Sequence, residues 1–247
     1  MDATPRVRMF GGPNGSGKST LFRHILQPEW RGIYLNPDDI ERSIQACGYL
    51  DLSIYGVADA DEAALAFFRT SSLVRKAGLD AAVAGLRCSA GRLHFAPGAA
   101  NSYFASVASD FIRHRLLAAK ASFTFETVMS SPDKVEFLAK SQAANYRTYL
   151  YYVATDDPII NQSRVLTRVH EGGHSVPPEK IVSRYHGSLR LLPAAIRASD
   201  RAYIFDNSGK TGEHTWLAEI IAGRRLELKS GVIPAWFKRA VLDPLSV

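Results

Sequence analysis

Residues 12–19 read Gly-Pro-Asn-Gly-Ser-Gly-Lys-Ser and match the pattern G-x-x-x-x-G-K-[ST] at every fixed position. An apolar segment at residues 6–10 precedes the match, and residues 21–27 are typical of a short helix. Glycines let successive backbone N–H groups turn toward phosphate oxygens at the positive end of the following helix. The pattern therefore predicts a phosphate-binding loop at the start of a βαβ unit.

This loop supplies the candidate residues for binding a nucleoside triphosphate. Lys18 is expected to reach the β- and γ-phosphates, and the hydroxyl of Ser19 is expected to bind Mg²⁺. The predicted cofactors are therefore ATP and Mg²⁺. The residues predicted to contact the cofactor are Gly12, Pro13, Asn14, Gly15, Ser16, Gly17, Lys18, Ser19 and Thr20.

Strand-like segments alternate with helical ones along most of the chain. This alternation predicts an α/β fold, a P-loop kinase-like three-layer αβα sandwich with a mostly parallel five-stranded sheet. Residues 40–121 are Ala-rich and helical in pattern, with an amphipathic helix at 106–121, and they predict a helical insertion beside the sheet. The tail from residue 216 is typical of a helix and an irregular end. We expect one domain over residues 1–247, with a lid at 164–184.

Composition narrows the class of protein. Of the 247 residues, 46% are hydrophobic and 22% are charged, as in an ordinary globular protein. The net charge of +6 is spread without a long basic run, which argues against a nucleic-acid partner. No stretch approaches the roughly 20 apolar residues of a membrane span. Two cysteines, no Cys/His ligand spacing and no signal-peptide core favour a cytoplasmic protein without disulfides or zinc.

A phosphate-binding loop occurs in GTPases, in ATPase motors and in small kinases, and the rest of the sequence favours a kinase. The N-K-x-D guanine signature is absent. The best acidic residues after an apolar strand, Asp156 and Asp157, precede Pro158 and are better explained as helix caps. A kinase needs a carboxylate base for the acceptor hydroxyl and positive groups around the transferred phosphoryl.

Carboxylates follow two of the predicted strands. Asp38 lies just beyond the second strand, at the sheet edge where ligands bind, and is the preferred base. Asp39 is its competitor, and one of the two is expected to be the N-cap of the next helix. Glu126 ends the third strand, where it could hold Mg²⁺ or a substrate hydroxyl or serve as a cap, and Thr127 stands beside it.

Basic residues cluster around a segment rich in glycine and proline. Arg164 and Arg168 are four residues apart and share one helix face, and Arg184 lies on the next helix. His174 lies between them, next to two glycines and before Pro177. Such a segment suits a lid that closes over the phosphates. The alternative is that the arginines form a solvated face and that His174 is simply exposed.

Five motifs in this order resemble the zeta toxin family of P-loop kinases. They are GGPNGSGKST, LNPDD, FTFETVMS, RVLTRVHEGGHSVPPEKIVSRYHGS and FDNS, and they extend over residues 6–208. The resemblance implies transfer of the γ-phosphoryl group of ATP, with Mg²⁺, to a sugar hydroxyl of a UDP-N-acetylamino sugar. It also implies an antitoxin protein as a partner.

The resemblance also implies roles for individual residues. By motif position, Lys18 binds phosphate, Asp38 is the base, Glu126 and Thr127 face the substrate, and Arg168 steadies the transferred phosphoryl. Asp110 falls where the toxins have a further substrate-side carboxylate.

One position departs from the family pattern, because His174 stands where the toxins have a second phosphate-facing arginine. Either His174 takes that role or Arg184 reaches in from the next helix. This departure leaves the acceptor open. The alternatives are a small-molecule kinase with a different acceptor and an ATP-sensing regulatory module.

Overall fold

The structure is a computed structural model that describes residues 4–171, 175–210 and 212–245. The strands are β1 (Arg6–Gly11), β2 (Ile33–Leu35), β3 (Tyr49–Asp51), β4 (Arg87–Ser89), β5 (Arg92–His94), β6 (Phe123–Thr127), β7 (Arg147–Ala154), β8 (Arg201–Asp206), β9 (Thr215–Ile221) and β10 (Arg225–Leu228). The α-helices are α1 (Lys18–Ile25), α2 (Pro37–Cys47), α3 (Asp61–Thr70), α4 (Ser72–Lys76), α5 (Asp80–Ala84), α6 (Ser102–Ala118), α7 (Asp133–Ala143), α8 (Pro158–His170), α9 (Pro178–Arg197), α10 (Ala235–Phe237) and α11 (Asp243–Leu245). Two short 3₁₀ segments (Pro28–Trp30 and Ser53–Tyr55) and one π segment (Lys238–Leu242) complete the described elements. None of the described helices combines the length and the apolar character that crossing a membrane requires.

The main sheet has the order β10-β9-β8-β7-β1-β6-β2. β1 pairs in parallel with β7, and β7 pairs in parallel with β8. β9 runs antiparallel to β8, and β10 runs antiparallel to β9. The predicted α/β fold with a mostly parallel sheet is confirmed, although the sheet has seven strands rather than five.

The strands that the sequence pattern missed include a hairpin in the C-terminal tail. We expected a helix and an irregular end after residue 216, but Thr215–Ile221 and Arg225–Leu228 form the antiparallel pair β9 and β10. Residues Leu217 to Ile220 are all buried, so β9 lacks the polar alternation that marks a strand with one wet face. The helical part of the expectation is confirmed at residues 235–245.

The chain divides into two compact units. The first contains residues 1–32 and 124–247. Its core lies around the central strands β1, β7 and β8, whose buried residues include Met9, Leu150 and Ile204. The final turns of the chain close one end of this core, because Trp236 is 1% exposed and its indole N–H donates to Asp206 Oδ1 at 2.7 Å.

The second unit contains residues 33–123. Its central element is α6, which begins after Asn101, whose side chain accepts the N–H groups of Tyr103 and Phe104 at 3.0 Å each. α2 packs against α6. The predicted insertion is largely helical, as expected, but it also contains a three-stranded antiparallel sheet, in the order β3-β5-β4. Each of these strands has three residues, too few to display a period of two.

Candidate nucleotide-binding site

The G-x-x-x-x-G-K-[ST] segment forms a loop between β1 and α1, as the sequence predicts. β1 is buried along almost its whole length, which fixes the start of the loop in the centre of the sheet. Gly12 has a φ of +147°, and a Cβ there would lie 2.1 Å from the carbonyl oxygen of Val153. No other residue fits this position, because the loop passes directly over the end of β7.

Lys18, the first residue of α1, folds back over the loop. Its ammonium group donates to the carbonyl oxygens of Gly12 and Pro13 at 2.9 Å and 3.0 Å. The positive charge therefore lies at the phosphate loop itself, where the backbone N–H groups at the start of α1 add their partial positive charge. This placement fits the predicted role of Lys18 in binding phosphate oxygens.

Ser19 contacts Glu126, the carboxylate predicted at the end of the strand that is now β6. Its hydroxyl donates to Glu126 Oε2 at 2.8 Å, across 107 residues of sequence. Glu126 lies on β6, the neighbour of β1 in the sheet, and is only 5% exposed. A buried carboxylate at the end of one strand thus meets the phosphate loop at the end of the adjacent strand, as expected at the carboxyl edge of a parallel sheet.

The chemistry of this pair fits Mg²⁺. Hydroxyl and carboxylate oxygens are the hard donors that this ion prefers, and Mg²⁺ in such sites takes one or two protein ligands together with phosphate oxygens and water. Among the residues that the structure describes, no group of three or more His, Cys, Asp or Glu side chains could hold a metal by itself. Ser19 and Glu126 are therefore the residues that would hold Mg²⁺ with a bound nucleotide.

Thr127, next to Glu126, has a hydrogen bond of its own. Its hydroxyl accepts the N–H of Met129 at 3.1 Å, which stabilises the turn after β6, where Met129 has a φ of +55°. The contact of Thr127 with a substrate stays a prediction.

α8 begins after Asp157, whose carboxylate accepts the N–H of Ile159 at 2.8 Å, so the predicted cap is confirmed.

The two arginines that share one face of α8 have different environments. Arg164 donates to the carbonyl oxygens of Asn207 and Gly209 at 2.7 Å and 2.9 Å. Burial lowers the pKa of Arg164, although nearby Asp206 opposes the shift. Arg168 is half-buried one turn further along, and its predicted contact with the transferred phosphoryl stays a prediction.

Arg184 reaches the phosphate loop from α9. Its guanidinium donates to Asn14 Oδ1 at 3.4 Å. The sequence left open whether Arg184 or His174 supplies a second positive group, and His174 lies outside the residues that the structure describes. Arg184 is thus the residue of the two for which a contact with the loop is observed.

The second unit contains the predicted base. Asn36, not Asp38 or Asp39, is the N-cap of α2, since its side chain accepts the N–H of Asp38 at 3.0 Å. The expectation that one of the two aspartates is the cap is therefore wrong; Asn36 has the extended backbone that a cap requires. Asp39 forms an ion pair with Arg42, whereas Asp38 is exposed in the first turn. The role of Asp38 as base stays a prediction.

Asp110, implied by the resemblance as a further carboxylate, lies on α6. It forms an ion pair with Arg113 at 2.5 Å within that helix, and His114 Nε2 lies 3.6 Å from the same carboxylate oxygen.

Three side chains that contact the phosphate loop were not singled out from the sequence. Asn161 Nδ2 donates to Asn14 O at 2.6 Å, and Asn207 Nδ2 donates to Ser16 O at 2.8 Å. His214 Nε2 lies 3.3 Å from Gly17 O. Asn207 belongs to the FDNS motif, which marked the end of a strand at the correct sheet edge. Asn161 and His214 carried no local signal, because only the sheet order brings them to the loop.

The fold and the site together define a P-loop α/β protein, with a carboxylate and an arginine in contact with the phosphate loop. Residues 100–214, just under half of the chain, match the model of the zeta toxin family. This match confirms the resemblance that the five motifs indicate. It includes Glu126, Arg168 and Asn207 but not the phosphate loop. No curated protein matches the sequence.

The fold is similar to that of solved structures of AvrRxo1-ORF1:AvrRxo1-ORF2. The crystal structure of AvrRxo1-ORF1:AvrRxo1-ORF2 with sulphate ions is 13% identical, with a TM-score of 0.54 over 93% of this chain and 62% of the matched chain. The AvrRxo1-ORF1:-ORF2 structure with ATP is 13% identical, with a TM-score of 0.53 over 92% and 61%. A structure from the PezAT chromosomal toxin-antitoxin system of Streptococcus pneumoniae is 17% identical, with a TM-score of 0.48 over 86% and 72%. The chain spans about three-fifths of the length of the first two.

Proposed function

We propose that this protein is an ATP-dependent kinase that transfers the γ-phosphoryl group to a hydroxyl of a UDP-N-acetylamino sugar. The observation that carries the proposal is the hydrogen bond between Ser19 and buried Glu126, beside a phosphate loop covered by Lys18. Nucleoside triphosphate binding alone does not require a carboxylate here, whereas phosphoryl transfer requires a metal site at the β- and γ-phosphates.

Each of the candidate residues has a separate role in the proposed reaction. Lys18 and the N–H groups of the loop bind the phosphates. Ser19 and Glu126 would hold Mg²⁺, which supplies charge neutralisation between the β- and γ-phosphates when it is bound. Arg168, with Arg184 or His174, stabilises negative charge on the transferred group. Asp38 accepts the proton of the attacking hydroxyl.

The family resemblance is what supports the proposed acceptor. Zeta toxin motifs imply a nucleotide-sugar hydroxyl, with Glu126 and Thr127 facing the substrate. The alternatives are a kinase for a different small molecule and a module that senses ATP without turnover.

We further propose a protein partner that acts as an antitoxin, and a cytoplasmic location. Two observations support the partner. The family match is to toxins, and the similar AvrRxo1-ORF1 structures are of a complex with a second protein, ORF2.

The test of this function is phosphoryl transfer from γ-labelled ATP, with Mg²⁺, to a panel of acceptors. The panel contains UDP-N-acetylglucosamine, other UDP sugars, NAD and nucleosides. We expect a labelled UDP sugar with the wild type and none with Asp38→Asn. Label on another acceptor would favour a kinase for a different small molecule. ATP binding without any labelled acceptor would favour a module that senses ATP without turnover.

A second arm tests ATP binding. Lys18→Ala should weaken ATP affinity by about 10- to 100-fold, because one charge-assisted contact to phosphate is lost. Lys140→Ala removes the same charge from the exposed side of α7 and is the matched control. Equal affinities of the two variants would contradict the assigned role of Lys18.

A further inference from the structure

Two asparagine side chains hold carbonyl groups of the phosphate loop from outside it. Asn161 is fully buried on α8, and Asn207 is 1% exposed directly after β8. Each uses its amide nitrogen to donate to a loop carbonyl, Asn161 to Asn14 O and Asn207 to Ser16 O. Their distances, 2.6 Å and 2.8 Å, are those of good hydrogen bonds.

A held carbonyl fixes the direction of the next N–H group. The peptide bond is planar, and the described chain has no cis peptide bond. In a trans peptide the C=O and the following N–H point in opposite directions. Holding Ser16 O against Asn207 therefore turns the N–H of Gly17 away from Asn207, and holding Asn14 O against Asn161 turns the N–H of Gly15 away from Asn161.

Both N–H groups belong to glycines with left-handed backbone, at φ of +72° for Gly15 and +95° for Gly17. A Cβ on Gly17 would lie 2.4 Å from Asn207 Nδ2, and one on Gly15 would lie 2.6 Å from Asn161 O. The loop thus lies directly on the residues that hold it. Glycine by itself leaves the direction of these N–H groups free, so the loop needs outside contacts to fix it.

The two asparagines are themselves held in place. Thr155 donates its hydroxyl to the Oδ1 of Asn161. The backbone N–H of Asn207 donates to Ala154 O at 2.9 Å, and its carbonyl accepts from Arg164 at 2.7 Å. The side-chain amide of Asn161 and the backbone of Asn207 are therefore both held by neighbouring residues. Arg164, which shares a helix face with Arg168, acts here as a support of the loop.

We infer that Asn161 and Asn207 are positioning residues that orient the Gly15 and Gly17 N–H groups toward phosphate. Neither is a catalytic residue, since each acts through the backbone of the loop. The inference rests on the proposed function, because it requires that the loop binds a polyphosphate.

The test compares two ligands, ATP and inorganic tripolyphosphate, by calorimetric titration of the full chain. Asn207→Ala and Asn161→Ala should each weaken the binding of both ligands by the same factor, about 5- to 10-fold, the expected effect of one hydrogen bond. The equal factor is expected because the loop contacts only the phosphates.

Ser141→Ala controls for general loss of stability. Ser141 is also fully buried in the first unit and donates to a backbone carbonyl, that of Phe137, at 2.8 Å. It lies on α7, next to the start of β7, at the end of the sheet opposite to the phosphate loop. We expect Ser141→Ala to lower the melting temperature without changing either affinity.

Arg164→Lys provides a second route if an asparagine variant does not fold. It removes the paired contact with Asn207 O and Gly209 O. It should lower the affinity for both ligands, by a factor several-fold smaller than the factor for Asn207→Ala.

Three outcomes would overturn the inference. Unchanged affinities in the asparagine variants would do so while leaving the proposed function intact. A loss confined to ATP would show that the side chains contact the nucleoside instead of positioning the loop. Failure of the wild type to bind either ligand would overturn the proposed function together with the inference.

Discussion

Ser19 and Glu126 form the hydrogen bond on which the proposed Mg²⁺ site rests. Glu126 is buried beside a hydroxyl that donates to it, and its charge lies near the phosphate loop. Without a cation, that charge would repel the phosphates of a nucleotide. Glu126 can therefore be tested for metal binding separately from its structural role.

Mg²⁺ should raise the affinity of the wild type for a non-hydrolysable ATP analogue. Glu126→Gln should reduce this Mg²⁺-dependent gain by about tenfold or more. Glutamine keeps the size of the side chain and the acceptor for Ser19, but it is a weaker Mg²⁺ ligand. Titration with Mg²⁺ and with a chelator gives both affinities. An equal loss under both conditions would show that Glu126 only supports the loop.

His214 predicts how the stability of the fold depends on pH. Burial lowers its pKa below the usual 6.5, and nearby His24 and Arg164 add to the shift, while hydrogen bonds to Gly17 and Gly212 oppose it. The unfolded chain therefore binds a proton at a higher pH than the folded chain. Stability from this residue is complete above pH 6.5 and falls as the pH drops below that value.

His214→Gln should accordingly lose less stability than the wild type between pH 7.5 and pH 5.5. Urea midpoints at the two pH values measure the difference. A steeper loss in the variant would mean that His214 is protonated when the protein is folded. His186→Gln is the matched control, because it removes an imidazole that is exposed on α9 and is not among the groups that shift the pKa of His214.

Helix α8 carries residues that support the phosphate loop and leads into the predicted lid. Asn161 donates to Asn14 O in the loop, Arg164 donates to Asn207 O, and Arg168 follows one turn later. The helix begins at Asp157 and Pro158, so its position depends on a defined first turn.

Asp157→Ala should lower the free energy of unfolding by about 1 kcal/mol, because the cap of α8 is lost. Asp157→Asn keeps an accepting side chain and should cost only a few tenths of that amount. Equilibrium denaturation in urea compares the two variants. Equal losses would show that the charge, and not the cap, stabilises the helix.

The sequence predicted the elements around α8 because each had a local signal. The Asp-Asp-Pro opening, the glycines of the phosphate loop and the apolar run of β7 all act over a few residues. The cap of α2 was assigned to the wrong residue, since Asn36, Asp38 and Asp39 are all good caps and only the backbone angles choose among them. The hairpin β9–β10 and the contacts of Asn161 and His214 depend on sheet order, which no local pattern contains.

At the scale of the whole first unit, the C-terminal turns are part of the core and support the nucleotide side of the sheet. Trp236 donates to Asp206, which also accepts the hydroxyl of Ser208 at 2.7 Å. Asp206 directly precedes Asn207, so the last part of the chain helps to fix a residue that contacts the phosphate loop.

Trp236→Phe should lower the free energy of unfolding by about 1.5–3 kcal/mol, because a buried carboxylate loses one of its donors. Trp216→Phe is the control, since Trp216 is 40% exposed and donates to Ala218 within its own strand. Its cost should stay within about 0.5 kcal/mol. Thermal and urea denaturation measure both, and similar values would contradict the role of the tail.

The hydrogen bond between Asn207 and the phosphate loop spans 191 residues. The side chain that holds Ser16 O is therefore translated 191 residues after the loop itself. While those residues are being added, the nascent chain carries the phosphate-binding sequence without the Asn207 contact that supports it. This order of synthesis delays a fully supported phosphate loop until the segment after β8 has been translated.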